Sequence, residues 1–113
     1  MYVCSYVTTP YVVLLVPPLL VTIDPNNVTT KVFGSVTFVC YSNGFGALSF
    51  VWEYDDSVIS TFNSTVQQDS LIIDSVLPQH QGQYKCTVTS SHSSLSTFAL
   101  ATLNLNGNLI YTY

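Results

Sequence analysis

The chain has 113 residues, of which 48% are apolar, so it is long enough for one domain with a modest hydrophobic core. Only 7% of the residues are charged, Arg is absent, and the only lysines are Lys31 and Lys85. Nucleic acid and anionic membrane surfaces are both bound through clusters of basic side chains, so this composition excludes the first partner and argues against the second. The net charge of −4 favours solubility and indicates no particular partner.

Residues 1–18 are predicted to be a leader or linker that precedes the domain. No charged residue occurs before Asp24, and the run YVVLLVPPLLVTI (11–23) is strongly apolar. Pro17 and Pro18 interrupt this run, which argues against a membrane helix of about 20 apolar residues. A signal peptide usually has a basic start and a small-residue cleavage site, and this segment contains neither a basic residue nor an Ala. A linker leading into the first strand, an atypical signal peptide and a membrane anchor all remain open.

From residue 19 onward, short strands alternate with turns. Apolar side chains recur at every second position in the runs VTFVC (36–40), LSFVWEY (48–54), SLIIDSV (70–76), QYKCTVT (83–89) and STFALATLNLN (96–106). β-Branched and aromatic residues dominate these runs, and no window has the period of an amphipathic helix. The pattern predicts one all-β domain over residues 19–106, either a sandwich or a barrel. Residues 107–113 follow the last strand and are predicted to be a C-terminal linker.

Two cysteines and one tryptophan fall on inward positions of the predicted strands. Cys40 and Cys86 lie on different runs, and Trp52 lies on a run between them. Two sheets packed face to face stand about 10 Å apart, so a disulfide between their inner faces requires a cysteine in the middle of one strand of each sheet. Closing the 46-residue step between these cysteines would stabilise the fold by about 4 kcal/mol on the chain-entropy model.

Three segments together resemble an immunoglobulin domain, and more narrowly an I-set or C2-like domain of cell-surface proteins. They are GSVTFVC (34–40), Trp52, and LIIDSVLPQHQGQYKC (71–86). The last segment matches the family pattern L-x-I-x-x-V-x-x-x-D-x-G-x-Y-x-C at Leu71, Ile73, Val76, Gly82, Tyr84 and Cys86. The resemblance implies a two-sheet antiparallel Greek-key sandwich whose function is recognition, without catalysis or a cofactor.

The resemblance also implies structural roles for the motif residues. Cys40 and Cys86 would form the disulfide between the sheets, with Trp52 packed beside it. Tyr84 would form a tyrosine corner, its hydroxyl bonding a backbone group a few residues upstream, and Gly82 would relieve the tight turn before it. Leu71 would belong to the core.

His80 departs from the family pattern, which has Asp at this position. In the family that Asp pairs with a basic residue near the start of the fourth strand, and this chain has no Arg and no Lys between residues 32 and 84. Both partners of the ion pair are therefore missing together. We expect the His80 side chain to form a local hydrogen bond in the turn instead.

Two N-glycosylation sequons occur, at Asn27 (NVT) and Asn63 (NST), both in predicted polar loops or edge segments. Both are candidate glycosylation sites if the chain is secreted, and whether either carries a glycan remains open. Cys4 is left over from the predicted disulfide, and it is either incidental or available to pair with another chain. The cysteines form no closely spaced pair such as C-x-x-C, which argues against a metal site.

No catalytic motif is present. The chain lacks G-x-S-x-G, and the glycines at 44 and 46 are followed by neither a third glycine nor a helix, as a phosphate loop would require. The acidic pair Asp55–Asp56 is explained by a turn after the Trp52 strand, and His92 by a solvated loop. The sequence therefore predicts a non-enzyme that uses no cofactor.

Two surfaces are candidates for binding another protein. The loops 41–47 and 90–95 should lie side by side at one end of the domain, where Phe45 and His92 are candidate contacts, although Phe45 could equally tuck over the core. The alternative is the exposed sheet face: if Ala101 and Leu103 point inward, Phe98 and Leu100 point outward and make an apolar, almost uncharged surface.

The sequence thus predicts an extracellular or cell-surface recognition module of an adhesion or receptor protein. Its partner would be another protein, either the same chain or a different one, and a membrane would be reached only through segments flanking the domain. Two other functions remain open. One is an intracellular structural module of the muscle-filament type, with its cysteines reduced, and the other is a secreted immune-type effector or decoy.

Overall fold

The computed structural model describes residues 18–106, which form eight β-strands and one short 3₁₀ turn, Pro78–His80. The strands are β1 (Val21–Asp24), β2 (Asn27–Thr30), β3 (Val36–Ser42), β4 (Leu48–Tyr54), β5 (Ser57–Ser64), β6 (Gln68–Ile73), β7 (Gly82–Ser90) and β8 (Leu95–Leu105). The all-β class predicted from the sequence is confirmed.

Several predictions concern residues outside this described range. They are the leader or linker, except for Pro18, the linker 107–113, and the role of Cys4. Within residues 18–106, no helix is long and apolar enough to cross a membrane.

The strands form two sheets that pack face to face as a sandwich. One sheet has the order β1-β3-β6, and the other has the order β2-β8-β7-β4-β5. The chain changes sheet at every connection from β1 to β4 and again on either side of β6, and only the pairs β4–β5 and β7–β8 are consecutive strands of the same sheet. The large sheet holds the strands of the candidate sheet face, and the loop with Phe45 joins β3 of the small sheet to β4 of the large one.

One strand pair departs from the antiparallel arrangement predicted. Strand β2 pairs parallel with β8, with Asn27 opposite Thr102 and Thr30 opposite Leu105. Residues 25–26 carry the chain from the small sheet to the large one as a crossover and not as a hairpin turn. The chain therefore continues in nearly the same direction when it leaves the small sheet and joins the large one.

Strand β5 is absent from the strands predicted from sequence. Its residues are nearly all exposed or only partly buried, so the run SVISTFNS shows no alternation between an inner and an outer face. Among residues 18–106 it pairs with β4 alone, and it forms one edge of the large sheet as described. A strand with little buried surface carries a weak period-two signal, which is why the pattern did not reveal it.

The core lies between the sheets and follows the predicted alternation. Strand β3 buries every second side chain, and β4 and β7 do the same from the opposing sheet. The buried apolar residues are Ile23, Val36, Phe38, Cys40, Leu48, Phe50, Trp52, Val76, Tyr84, Cys86, Val88, Ala101 and Leu103, with Leu71 packed against them. The inner faces predicted for these strands are confirmed.

The Cys40–Cys86 disulfide joins the two sheets at the centre of this core. Trp52 lies directly beside Cys86 on the neighbouring strand, and its ring is fully buried. The indole Nε1–H donates a hydrogen bond to Asp69 Oδ2 at 3.0 Å, and Asp69 lies opposite Cys40 on the other sheet. The tryptophan therefore links both sheets through a polar contact as well as through packing, a contact that the sequence pattern did not predict.

Candidate recognition surface

The exposed side of the large sheet, here called the outer face, presents two adjacent rows of side chains at its centre. Strand pairing aligns Val51, Thr87 and Phe98 in one row, and Glu53, Lys85 and Leu100 in the next. Phe98 is 52% exposed and Leu100 is 43% exposed, while their neighbours Ala101 and Leu103 are buried. The orientation predicted for β8 is confirmed, and the binding role of these residues stays a prediction.

The sequence predicted an almost uncharged face, but the outer face carries one positive and one negative side chain, whose charges balance. Lys85 Nζ lies 4.4 Å from the centre of the Phe98 ring and 4.0 Å from Glu53 Oε1. An exposed ion pair of this length contributes little to stability. Its main effect is to hold the ammonium group over the aromatic ring, so that cationic and apolar surface lie side by side.

Strand β5 extends the outer face beyond what the sequence indicated. Val58 lies opposite Glu53, and Thr61 lies opposite Val51, so both side chains point to the same side as the central rows. Val58 is exposed. The apolar part of the face therefore reaches from β8 across to the edge strand.

A polar depression of about 460 Å³ lies at one end of the outer face. Its lining includes Lys85 and Leu100 from the outer face and the turn residues Asp55 and Asp56. Both aspartates adopt positive φ angles, +53° and +62°, as expected for a tight turn between two strands. Within the described residues, no group of three or more His, Cys, Asp or Glu side chains is placed to hold a metal ion.

The two loops predicted to lie side by side are in contact at the opposite end of the domain. Ser91 donates hydrogen bonds to the Ala47 carbonyl from both its backbone N–H and its hydroxyl, each at 3.1 Å. Ser90 Oγ also donates to the Phe45 carbonyl at 3.3 Å. Phe45 is 65% exposed, so the alternative in which it tucks over the core is wrong.

A largely apolar groove of about 290 Å³ lies beside Phe45. His92 and Leu95 line it from one loop, and Pro18 and Leu19 line it from the start of the described chain. The loop end is therefore a second surface with an exposed aromatic side chain. Most of its residues lie in loops or ahead of β1, whereas the outer face is built on paired strands.

The turn before β7 contains the tyrosine corner implied by the sequence. Tyr84 Oη donates to the His80 carbonyl at 2.6 Å. Gly82 has a φ of +141°, and a Cβ there would lie 3.1 Å from the ring of Tyr54. Glycine is required at this position for its backbone conformation and for the close approach of that ring.

His80 takes over a hydrogen bond in the same turn. Its Nδ1 accepts from the Leu77 backbone N–H at 2.8 Å, which confirms the local role expected for it. Tyr54, which sequence reasoning placed only on an inner face, also stabilises the turn. Its hydroxyl lies 2.7 Å from the Gln79 carbonyl and 2.6 Å from the Gln81 carbonyl. The sequence shows an aromatic residue two positions after the core tryptophan. Only the folded chain shows that its hydroxyl reaches the turn before β7.

We expect Tyr84→Phe to lower the free energy of unfolding by about 1–2 kcal/mol at neutral pH, because it leaves the partly buried His80 carbonyl without its partner. Burial, with a smaller contribution from Tyr54, raises the pKa of Tyr84 from 10.0 to about 12. Folding thus favours the protonated hydroxyl, so this stabilisation is complete below pH 10 and is lost as the pH rises towards 12.

Urea denaturation of both proteins between pH 7 and pH 12 measures this effect. The stability difference between wild type and Tyr84→Phe should narrow above pH 10. The remaining tyrosines are common to both proteins, so they act as the internal control. A difference that stays constant across the whole range would contradict the assignment.

The sequons lie on the two edge strands of the large sheet, Asn27 on β2 and Asn63 on β5. Both asparagines are exposed. The prediction placed them in polar loops or edge segments, and the structure places both in edge strands.

The sandwich, its central disulfide with the adjacent tryptophan, and the tyrosine corner define an immunoglobulin-like domain. A family model described as immunoglobulin domain matches residues 17–90, which is more than half of the chain. The chain belongs to the immunoglobulin domain family, and the resemblance drawn from the sequence is confirmed.

Among curated proteins, the chain is 33% identical over 84 residues to protogenin from Mus musculus and, to the same extent, to protogenin from Rattus norvegicus. The match covers 73% of this chain and 7% of each protogenin. Among solved structures, it is similar to the N-terminal four immunoglobulin domains of Dscam1 isoform 1.9, with a TM-score of 0.66 and 28% identity. That match covers 79% of this chain and 21% of the Dscam1 chain. The chain thus spans a small part of the length of these relatives.

Proposed function

We propose that this domain is a recognition module of an extracellular adhesion or receptor protein, and that it binds another protein without catalysis through its outer face. Phe98 and Leu100 are exposed two residues apart on β8, a strand that is paired on both sides within the large sheet. This observation is the main support for the proposal. Exposed apolar side chains grouped on a flat sheet are a feature of protein contact surfaces.

Charge distribution supports the same surface. Of the acidic residues, only Glu53 lies on the outer face, where Lys85 balances it. The others lie on β1 or β6, after β6, or in the turn after β4: Asp24, Asp69, Asp74, Asp55 and Asp56. A partner that approaches the centre of the outer face, away from the depression lined by Asp55 and Asp56, therefore meets the balanced Glu53–Lys85 pair and no further charged side chain among residues 18–106.

The disulfide supports an extracellular location. Disulfides form and persist in oxidising compartments, and they are rare in cytosolic proteins. The Cys40–Cys86 bond lies in the centre of the core, beside Trp52, where it supports the strands that carry the outer face. This favours a cell-surface or secreted module over the intracellular filament type, in which the cysteines would be reduced.

The proposal predicts that Leu100→Glu weakens binding at least about tenfold, because burial of a leucine contributes roughly 1.5–3 kcal/mol and tenfold corresponds to 1.4 kcal/mol. Multimerised domain should be tested against a panel of cell-surface ectodomains, and self-association should be measured by analytical ultracentrifugation. Leu100 is exposed, so the substitution should leave thermal stability nearly unchanged.

Phe45→Glu provides the matched control, since it places the same charge on an exposed apolar residue at the loop end. Binding that survives Phe45→Glu and is lost in Leu100→Glu supports the outer face. The reverse result would assign recognition to the loops. Equal binding by both variants and the wild type would remove both surfaces from consideration.

A further inference from the structure

The two sequons occupy the two opposite edges of one sheet. In the order β2-β8-β7-β4-β5, Asn27 lies on the first strand and Asn63 on the last. The large sheet is the one that carries the outer face. Two sites separated by 36 positions in the sequence are thus related by strand pairing in a way that the sequence does not show.

Both asparagines also point to the same side of that sheet. Asn63 lies opposite Ser49, which is on the outer face with Val51, and Asn27 lies opposite Thr102, the residue between the buried Ala101 and Leu103. Paired residues on adjacent strands project to the same side. Both sequon asparagines therefore project from the outer face. Both sequon threonines, Thr29 and Thr65, are exposed.

The two sites lie at diagonally opposite corners of the outer face. Asn63 is in the row of Ser49 and Thr89, whereas Asn27 is in the row of Thr102 and Gln83. Six residues of β7 separate these rows, about 20 Å, and four strand spacings separate the edges, about 19 Å. The apolar centre with Phe98 and Leu100 lies between the two corners.

The hydrogen bond between Asn104 and Asn27 uses the amide oxygen of Asn27 and leaves its Nδ2 atom accessible. Asn104 Nδ2 donates to Asn27 Oδ1 at 2.9 Å and also lies 3.4 Å from the Val28 carbonyl. Since only the Nδ2 of Asn104 can donate to these two oxygens, the amide oxygen of Asn27 faces Asn104. The Asn27 Nδ2 atom, which carries the sugar in an N-glycan, points away from that contact.

The edge strand β5 is apolar and uncharged, which favours pairing with another chain. Its sequence SVISTFNS contains neither a charged residue nor a proline, and it exposes Val58, Ile59 and Phe62. An uncharged apolar edge with free backbone groups invites pairing with another chain. A register irregularity between Trp52 and Glu53 interrupts one end of the β4–β5 pairing, and Asn63 lies near the other end, where pairing is regular.

We infer that Asn27 and Asn63 both carry N-linked glycans, which cover the two edges of the large sheet and leave its diagonal centre as the approach for a partner. In each transfer a bond forms between C1 of the sugar and Asn Nδ2. The bond from C1 to the diphosphate of a lipid-linked oligosaccharide donor breaks, the amide nitrogen loses a proton, and the lipid diphosphate leaves. The inference rests on the extracellular location in the proposed function.

Expression of the full chain through a eukaryotic secretory pathway, followed by intact mass measurement before and after enzymatic removal of N-glycans, tests it. Two glycans are expected on the wild type. Thr29→Ala and Thr65→Ala should each remove one, whereas Thr29→Ser and Thr65→Ser, which keep the sequons, should retain both. A secreted chain with a bare asparagine at either site would overturn the inference and leave the proposed function standing. A chain that is neither glycosylated nor secreted would overturn both.

The edge-covering role has its own readout. Thr65→Ala should self-associate at a concentration at least about tenfold lower than Thr65→Ser, as measured by analytical ultracentrifugation, because the β5 edge is then uncovered. Equal association of the two variants would show that the glycan does not cover the edge. Partner binding through the outer face is tested separately by Leu100→Glu, so the two ideas fail independently.

Discussion

Replacing Cys40 and Cys86 together with alanine should lower the free energy of unfolding by about 4 kcal/mol. The disulfide links two residues 46 positions apart in the sequence. On the chain-entropy model, its loss raises the conformational entropy of the unfolded chain and so lowers the free energy of unfolding by that amount. A domain of this size has a total stability of about 5–15 kcal/mol, so the variant should be close to the limit of folding at physiological temperature. Urea denaturation at low temperature, followed by tryptophan fluorescence, measures the difference.

Reduction of the wild type by dithiothreitol is the matched control for this variant, because it removes the cross-link while keeping both side chains. All proteins in the series should carry Cys4→Ser, so that only one thiol pair is compared. The reduced wild type and the double alanine variant should unfold at similar, lowered urea concentrations. If the oxidised wild type unfolded at the same concentration as both, the disulfide would contribute nothing to stability.

The second large effect is expected at Trp52. Trp52→Ala should cost about 3–5 kcal/mol, since it removes the largest fully buried side chain and leaves a cavity between the sheets beside the disulfide. Trp52→Phe should cost less, because the ring still fills part of the space. It would nevertheless lose the hydrogen bond from the indole nitrogen to Asp69. Chemical denaturation monitored by far-ultraviolet circular dichroism suits this series, since the fluorophore is removed.

Substitutions at Asp69 separate the contribution of the Trp52 hydrogen bond from the contribution of Trp52 packing. Asp69→Ala should destabilise by about 1–3 kcal/mol, because the buried indole N–H loses its acceptor. Asp69→Asn keeps an oxygen in place and should be close to the wild type. Equal stability of Asp69→Ala and Asp69→Asn would mean that the hydrogen bond between the sheets contributes nothing. In that case Trp52 would act by packing alone.

Much of the fold was predictable because side-chain alternation in a strand is local. The inward positions of Phe38, Trp52 and Tyr84 follow from a period of two residues, and the buried core agrees with them. The same alternation predicted that Phe98 and Leu100 would be exposed. Strand β5 was missed since it buries too little surface to impose that period on its sequence.

The candidate recognition surface was predictable in part. The position of the apolar residues on β8 followed from the strand pattern, but the position of Lys85 above Phe98 and beside Glu53 did not. Residues on one strand can be assigned to a face from their spacing alone. The identity of the neighbours on that face depends on register, which a one-residue slip would change entirely.

The period of two residues was enough to predict the all-β class, the core positions and the inward cysteines, whereas the sandwich and the tyrosine corner were implied by the resemblance of the motif residues to the immunoglobulin family. The parallel pairing of β2 with β8 and the hydrogen bond from the Trp52 indole to Asp69 are visible only in the folded chain. The same is true of the positions of Asn27 and Asn63 at opposite corners of one face. These features arise from contacts between residues far apart in the chain, and they depend on which strands pair, in which direction and in which register.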